Sequence, residues 1–196
     1  MRLAYVGSAM YGRLPVAIGA FRLSHPGVRL VLTEATTAAQ VRGLRDGSLD
    51  MAVLIPPLAD AGGLELRPFD RDRLEMALPA AHPLAGRATL ADLAGEPFIL
   101  WPERAGQGFH ARAMRLCHEA GFRPRIVQEA HGMHAVLSLV AAGAGVALVP
   151  SRMARLHPET VAFRRIESDD AAFETMLAWP AGQLDPACRE LAVAFA

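Results

Sequence analysis

The chain has 196 residues, of which 52% are apolar and 20% charged, with twenty basic against twenty acidic side chains and a formal net charge of zero. This composition excludes disorder and supports a real core, and the length allows one large domain or two small lobes. Every positively charged side chain is an Arg, scattered rather than clustered, so a sequence-independent grip on nucleic-acid phosphates is excluded.

No opening segment combines a basic start, an apolar run and a small-residue cleavage site, and no apolar stretch reaches about 18 residues. The expectation is a soluble, cytoplasmic protein without membrane contact. Cys117 and Cys188 stand far apart without a Cys or His at ligand spacing and read as small buried apolar residues.

Short apolar runs alternate with longer periodic segments, the rhythm of an α/β fold. A strand at Leu3–Val6 leads through GSAMYG into a helix carrying Leu14, Ile18 and Phe21, with Pro15 in its first turn and a stop at His25-Pro26-Gly27. A strand at Val28–Leu32 leads through EATTAAQ into a helix with Val41, Leu44 and Leu49, followed by a strand at Met51–Ile55. These are two βαβ crossovers, which predict a parallel sheet.

Beyond IPPLADAGG, two extended segments, Leu64–Phe69 and Leu74–Pro79, read as joined by a charged turn DRDR, where the chain enters a second lobe. That lobe is predicted to hold a short helix at Leu90–Ala94 and a strand at Phe98–Trp101. A helix at Phe109–Ala120, a strand at Arg125–Glu129, a helix at Met133–Ala142 and a strand at Val146–Pro150 follow. Strands at Val161–Ile166 and Thr175–Trp179 and a helix from Pro186 return the chain. The expected division is 1–71 with 152–196 as the first lobe and 72–151 as the second.

GSAMYGR is one step from a phosphate-cradling loop, but Arg13 replaces the Lys and Leu14 stands where a hydroxyl should hold magnesium. Two readings of the loop stand side by side. In one, Ser8 is an ordinary cap in a βα turn; in the other, backbone N–H groups at a helix start and the Ser8 hydroxyl receive a carboxylate. Thr36 or Thr37 caps the next helix, and the other threonine could face the same crevice as Ser8, since parallel strands share a C-terminal edge. His131 and His134 lack a third metal ligand at recognisable spacing, and Ser8 sits in GSA rather than in a nucleophile elbow, which argues against hydrolase chemistry. Trp101, Phe109 and Met133 fall at element ends, as core or as the wall of an apolar pocket.

The succession VGSAMYGRLP, FRLSHPGVRLVLTEATTAAQ, LRDGSLDMAV, LPAAHPLAG, ADLAGEPFILWP and AGFRPRIVQEAHGMHAVLSLVAAGAGVALVP resembles the effector-binding domain of LysR-type transcriptional regulators over nearly the whole chain. The branch controlling breakdown of aromatic compounds is most similar. The resemblance implies two Rossmann-like lobes joined by two crossover strands, as in type 2 periplasmic binding proteins, and a small organic acid between them. It implies no cofactor and no catalysis, and DNA contact only through an N-terminal winged helix-turn-helix outside this chain. A solute-binding protein of a transporter, or an enzyme on the same fold, are the alternatives.

Carried over by position, the resemblance implies effector contacts at Ser8, Ala9, Leu14, Thr37, Gln107, Gly108, Phe109, Met133 and Thr175, with Trp101 as a further wall and Thr36 beside Thr37. Some members of the branch carry an Arg where this chain has Ile55, which weighs against a dicarboxylate effector. The resemblance also implies a homodimer or homotetramer that pairs the helix near Leu14–Arg22 with the helix near Arg112–Glu119.

Overall fold

In the computed structural model, residues 1–103, 107–156, 159–182 and 186–194 are described. The chain divides into two compact units, 1–71 with 174–196, and 72–173.

The first unit is built on three parallel strands, β1 (Arg2–Tyr5), β2 (Val31–Glu34) and β3 (Met51–Leu54), in the order β2-β1-β3. Helix α1 (Leu14–Ser24) connects the first two strands and α2 (Thr37–Arg45) leads to the third. Strand alternation sorts the core to two faces. Leu3, Met51, Val53, Leu177 and Trp179 pack with Leu14, Ile18 and Phe21 of α1, and with Cys188 and Leu191 near the C-terminus. Ala52, Leu54 and Ala178, one residue out of phase, pack instead with Leu44 of α2. The i, i+4, i+7 spacing of the three α1 side chains makes the helix amphipathic, and burying each is worth about 2 kcal/mol. The helix stops where expected: His25 donates its N–H to the Phe21 carbonyl, its ring stacks on Phe21, and Pro26 cannot continue the ladder. Leu49 lies beyond the end of α2 but still packs in its cluster.

The expected turn at DRDR is absent. One strand, β4, runs unbroken from Leu64 to Pro79. Its charged stretch stays extended because neighbouring groups take up each side chain: Asp70 accepts from the Arg13 backbone, Arg71 pairs with Glu174, Asp72 accepts from the Ser151 hydroxyl, and Arg73 donates to the Ile166 carbonyl.

In the second unit, β4 pairs antiparallel with β7 (Ala147–Pro150) and with β8 (Val161–Arg165), while β5 (Pro97–Leu100) and β6 (Arg125–Glu129) pair in parallel. An isolated parallel bridge, Phe98 to Val146, ties β5 to the start of β7, and Gly145 there admits only a hydrogen because a Cβ would strike the Pro97 carbonyl. Helices α3 (Gln107–Glu119) and α4 (Met133–Ala141) follow β5 and β6. The sequence reading ended this lobe at 151. Residues 152–173 belong to it instead, because β8 pairs with β4 from Glu75 to Pro79. The chain re-enters the first unit within β9 (Ala172–Pro180), which joins β3 antiparallel, and ends in α5 (Pro186–Ala194).

Candidate functional site

Parallel pairing places three loops at the carboxyl edge of the first unit's sheet, the edge at which open α/β sheets receive ligands. The loop after β1 is a 3-10 turn, Gly7–Tyr11, followed by α1. The Ser8 hydroxyl within it is buried and has no hydrogen-bond partner, whereas Ala9 belongs to the core cluster. Glu34 Oε1 approaches Gly7 closely, 2.5 Å from where a Cβ would lie, a contact that the flexible, exposed Glu34 side chain can relieve by moving. Burial, and then the Glu34 charge, raises the Tyr11 hydroxyl above its ordinary pKa.

The loop after β2 resolves which threonine caps. Thr36 is the N-cap of α2, its hydroxyl accepting from the Ala39 N–H (3.3 Å), and the helix begins at Thr37. The Thr37 hydroxyl instead lies 3.3 Å from both the N–H and the carbonyl of Ile55, and so pins the end of β3 to the start of α2. Ile55 itself is 5% exposed. Gln40 anchors the same loop from beneath. Fully buried, it donates Nε2 to the Ala35 carbonyl (2.8 Å), while its Oε1 has no partner. Gln40 belongs to the EATTAAQ junction that carries the family resemblance, but its burial at the end of a polar run has no local signal.

Leu14 has no exposed surface and packs in the core from the first turn of α1. At the N-terminus of α1 the Asp70 carboxylate accepts the Arg13 N–H (2.9 Å). Thr175 is buried too, its hydroxyl donating to the Asp70 carbonyl (3.4 Å).

The second unit has its own carboxyl edge, where β5 and β6 end. Trp101 follows β5, and its ring meets the His131 ring edge-on at 6.5 Å. His110 Nδ1 lies 3.0 Å from the Trp101 carbonyl, and Phe109 packs edge-to-face on Phe173 at 5.0 Å. Met133 starts α4, is 9% exposed, and follows Gly132, whose φ of 90° suits glycine. Gly108 lies in the first turn of α3. The Gln107 side chain falls outside the described residues. Residues Trp101, His131, Phe109 and Met133 thus gather at the ends of two parallel strands, and the sequence reading treated His131 only as a failed metal ligand. Among the described residues no group of three or more His, Cys, Asp or Glu could hold a metal, and no helix is long and apolar enough to cross a membrane.

Comparison with known proteins gives a consistent result. The LysR substrate binding domain matches residues 1–195. The HTH-type transcriptional regulator AlsR of Bacillus subtilis is 33% identical over 179 residues, which cover 90% of this chain and 59% of that protein. The HTH-type transcriptional regulator BenM of Acinetobacter baylyi is 32% identical over 155 residues, 77% of this chain and 51% of that protein. The chain therefore spans little more than half the length of these relatives. Among solved structures, the effector-binding domain of a BenM variant superposes with a TM-score of 0.89 at 27% identity, covering 100% of this chain and 92% of that one. The BenM effector-binding domain with its effector benzoate gives 0.86 at 26% identity, covering 100% and 89%. The fold is accordingly the two-lobed one of these domains, similar to type 2 periplasmic binding proteins. The chain belongs to the LysR substrate-binding domain family.

Proposed function

We propose that the chain is the small-molecule-sensing part of a cytoplasmic DNA-binding transcriptional regulator, and that its effector is a small aromatic or unsaturated monocarboxylic acid. The observation that carries this reading is the Ser8 hydroxyl, buried and unpartnered on the strand-end edge that also presents Thr37. A buried hydroxyl without a partner costs free energy that an incoming acceptor recovers. The Glu34 carboxylate beside Gly7 repels a second negative charge, and Ile55 supplies no cation to offset one, so a monoanion is favoured over a dianion. Ala9 and Ile55 back these hydroxyls. Thr36 and Thr175 act through the backbone they hold. The effector shifts the domain's equilibrium only by its difference in affinity for two states, and a separate domain carries that change to DNA. Two copies pair through α1 of one and α3 of the other.

Thermal unfolding with benzoate and cinnamate tests the ligand class. Both acids raise Tm, benzamide does not, and Ser8→Ala or Thr37→Val reduces the rise by at least half. Absence of any shift, or a shift that both variants leave intact, overturns the reading.

A further inference from the structure

A cavity of about 530 Å³ lies in the second unit, and its lining shares no residue with the site above. It is formed by the segment 87–91, by Leu116, Glu119 and Ala120 at the end of α3, and by residues 164–168 at the end of β8. Its volume falls within the range of small-ligand pockets, roughly 300–1,000 Å³. Ala88, Leu90, Leu116 and Ile166 are buried and make its apolar wall.

The charges around it are unevenly satisfied. Arg165 pairs with Glu167 at 3.5 Å, and Glu119 faces Arg115 at 3.8 Å. Asp92 accepts from both the N–H and the hydroxyl of Thr89. Neither Arg87 nor Arg164 makes an ion pair among the described residues. Arg164 Nη1 donates to the carbonyl of the preceding residue, Phe163 (3.1 Å), and its Nε is buried with no acceptor. A guanidinium held in this way retains most of its capacity to bind a planar anion.

We propose that this cavity is a second ligand site, which takes a small monocarboxylic acid with its carboxylate on Arg164, Arg87 at the rim, and its apolar body against Leu90, Leu116 and Ile166. An apolar body is favoured because Ala88, Leu90, Leu116 and Ile166 line the cavity. A single charge is favoured because Glu119 and Glu167 also line the cavity and repel a dianion. Occupancy couples the end of α3 to the end of β8, two elements that the ligand touches at once.

The test is a titration of the ¹⁵N-labelled chain with benzoate, followed by NMR. Saturable shifts are expected at the amides of Thr89, Leu90 and Ile166 and at the Arg164 Nε–H, with no such shifts from benzamide and at least tenfold weaker ones from inorganic phosphate. Arg164→Gln raises the apparent Kd for these shifts at least tenfold. Arg87→Gln, at an exposed position, raises it about threefold and serves if the first variant folds poorly. Ser8→Ala and Thr37→Val leave these shifts unchanged. The site is overturned if the wild-type chain shows no saturable shift at residues 87–91 and 164–168. Equal shifts from benzamide, equal affinity for phosphate, loss of the shifts in Ser8→Ala, or an unchanged Kd in the arginine variants overturn it as well.

Discussion

Asp70 caps Arg13: its carboxylate accepts the backbone N–H at the head of α1 (2.9 Å), while the Arg13 guanidinium donates to the carbonyl of Phe69 (2.9 Å) and lies over the Phe69 ring. The helix start and the strand are thus clasped from both sides, and a carboxylate of the chain itself neutralises the positive end of the helix dipole. Asp70→Ala is expected to cost about 1 kcal/mol, the usual worth of an N-terminal cap. Urea denaturation reads this as a lower midpoint with an unchanged slope, and an unchanged midpoint would show that the cap is immaterial.

Gln40 holds the Ala35 carbonyl from a fully buried position, three residues after Thr37. Replacing it with Ala removes packed volume and a hydrogen bond to a part-buried carbonyl, which together cost about 2 kcal/mol. The segment carrying Thr36 and Thr37 loses its anchor as well. Gln40→Ala should therefore lower Tm and also shrink the further rise that benzoate produces, whereas a loss of Tm with the benzoate increment intact would confine Gln40 to stability.

Much of this arrangement was legible in the sequence, and the remainder has identifiable causes. The βα units, the Ser8 loop and the paired threonines are local patterns of apolar period and capping chemistry, and they fall close to where the residues placed them. DRDR read as a turn because a run of charges resembles solvated loop, and only the partners Arg13, Glu174, Ser151 and Ile166, all distant in sequence, keep it extended. The same long-range pairing, β8 on β4, moves residues 152–173 into the second unit. Leu14 lies in the α1 apolar stripe, and its core packing follows from that period.

Asp50 accepts from both the side chain and the backbone N–H of Arg2 across 48 residues. The Arg2 side-chain hydrogen bond is the main cause that holds this carboxyl below the usual carboxylate range. A depressed folded-state pKa means that the unfolded chain binds the proton more readily, so the contribution is complete above the unfolded value of about 3.9 and is lost as pH falls through the lowered one. The stability gap between the parent chain and Asp50→Asn should be constant above about pH 5 and close from about pH 4 downward. Urea midpoints measured across that range check it, and a gap that persists at the lowest pH would refute the assignment.

Burial alone raises the Cys117 thiol to about 12, and the residue is 1% exposed in α3. At pH 8 almost none of it is thiolate, and no reagent reaches it. Labelling of the native chain with a maleimide is expected to leave Cys117 unmodified over an hour and to proceed fully in denaturant. Fast native labelling would mean that α3 opens locally.

The outer face of α1 carries Val16 and Leu23, which are 76% and 86% exposed. Seven residues apart, they lie on one side of the helix, opposite the stripe of Leu14, Ile18 and Phe21. An apolar pair held this openly on a regular helix is suited to cover by another surface, and the proposed pairing of α1 with α3 of a second copy supplies it. Both residues project from α1 without touching its core, so Val16→Glu and Leu23→Glu should leave Tm at low concentration nearly unchanged. In sedimentation velocity the same variants should shift the chain toward monomer, weakening self-association at least tenfold. If they sediment as the parent does at every concentration, α1 is not the contact, and the pairing must be sought on another face.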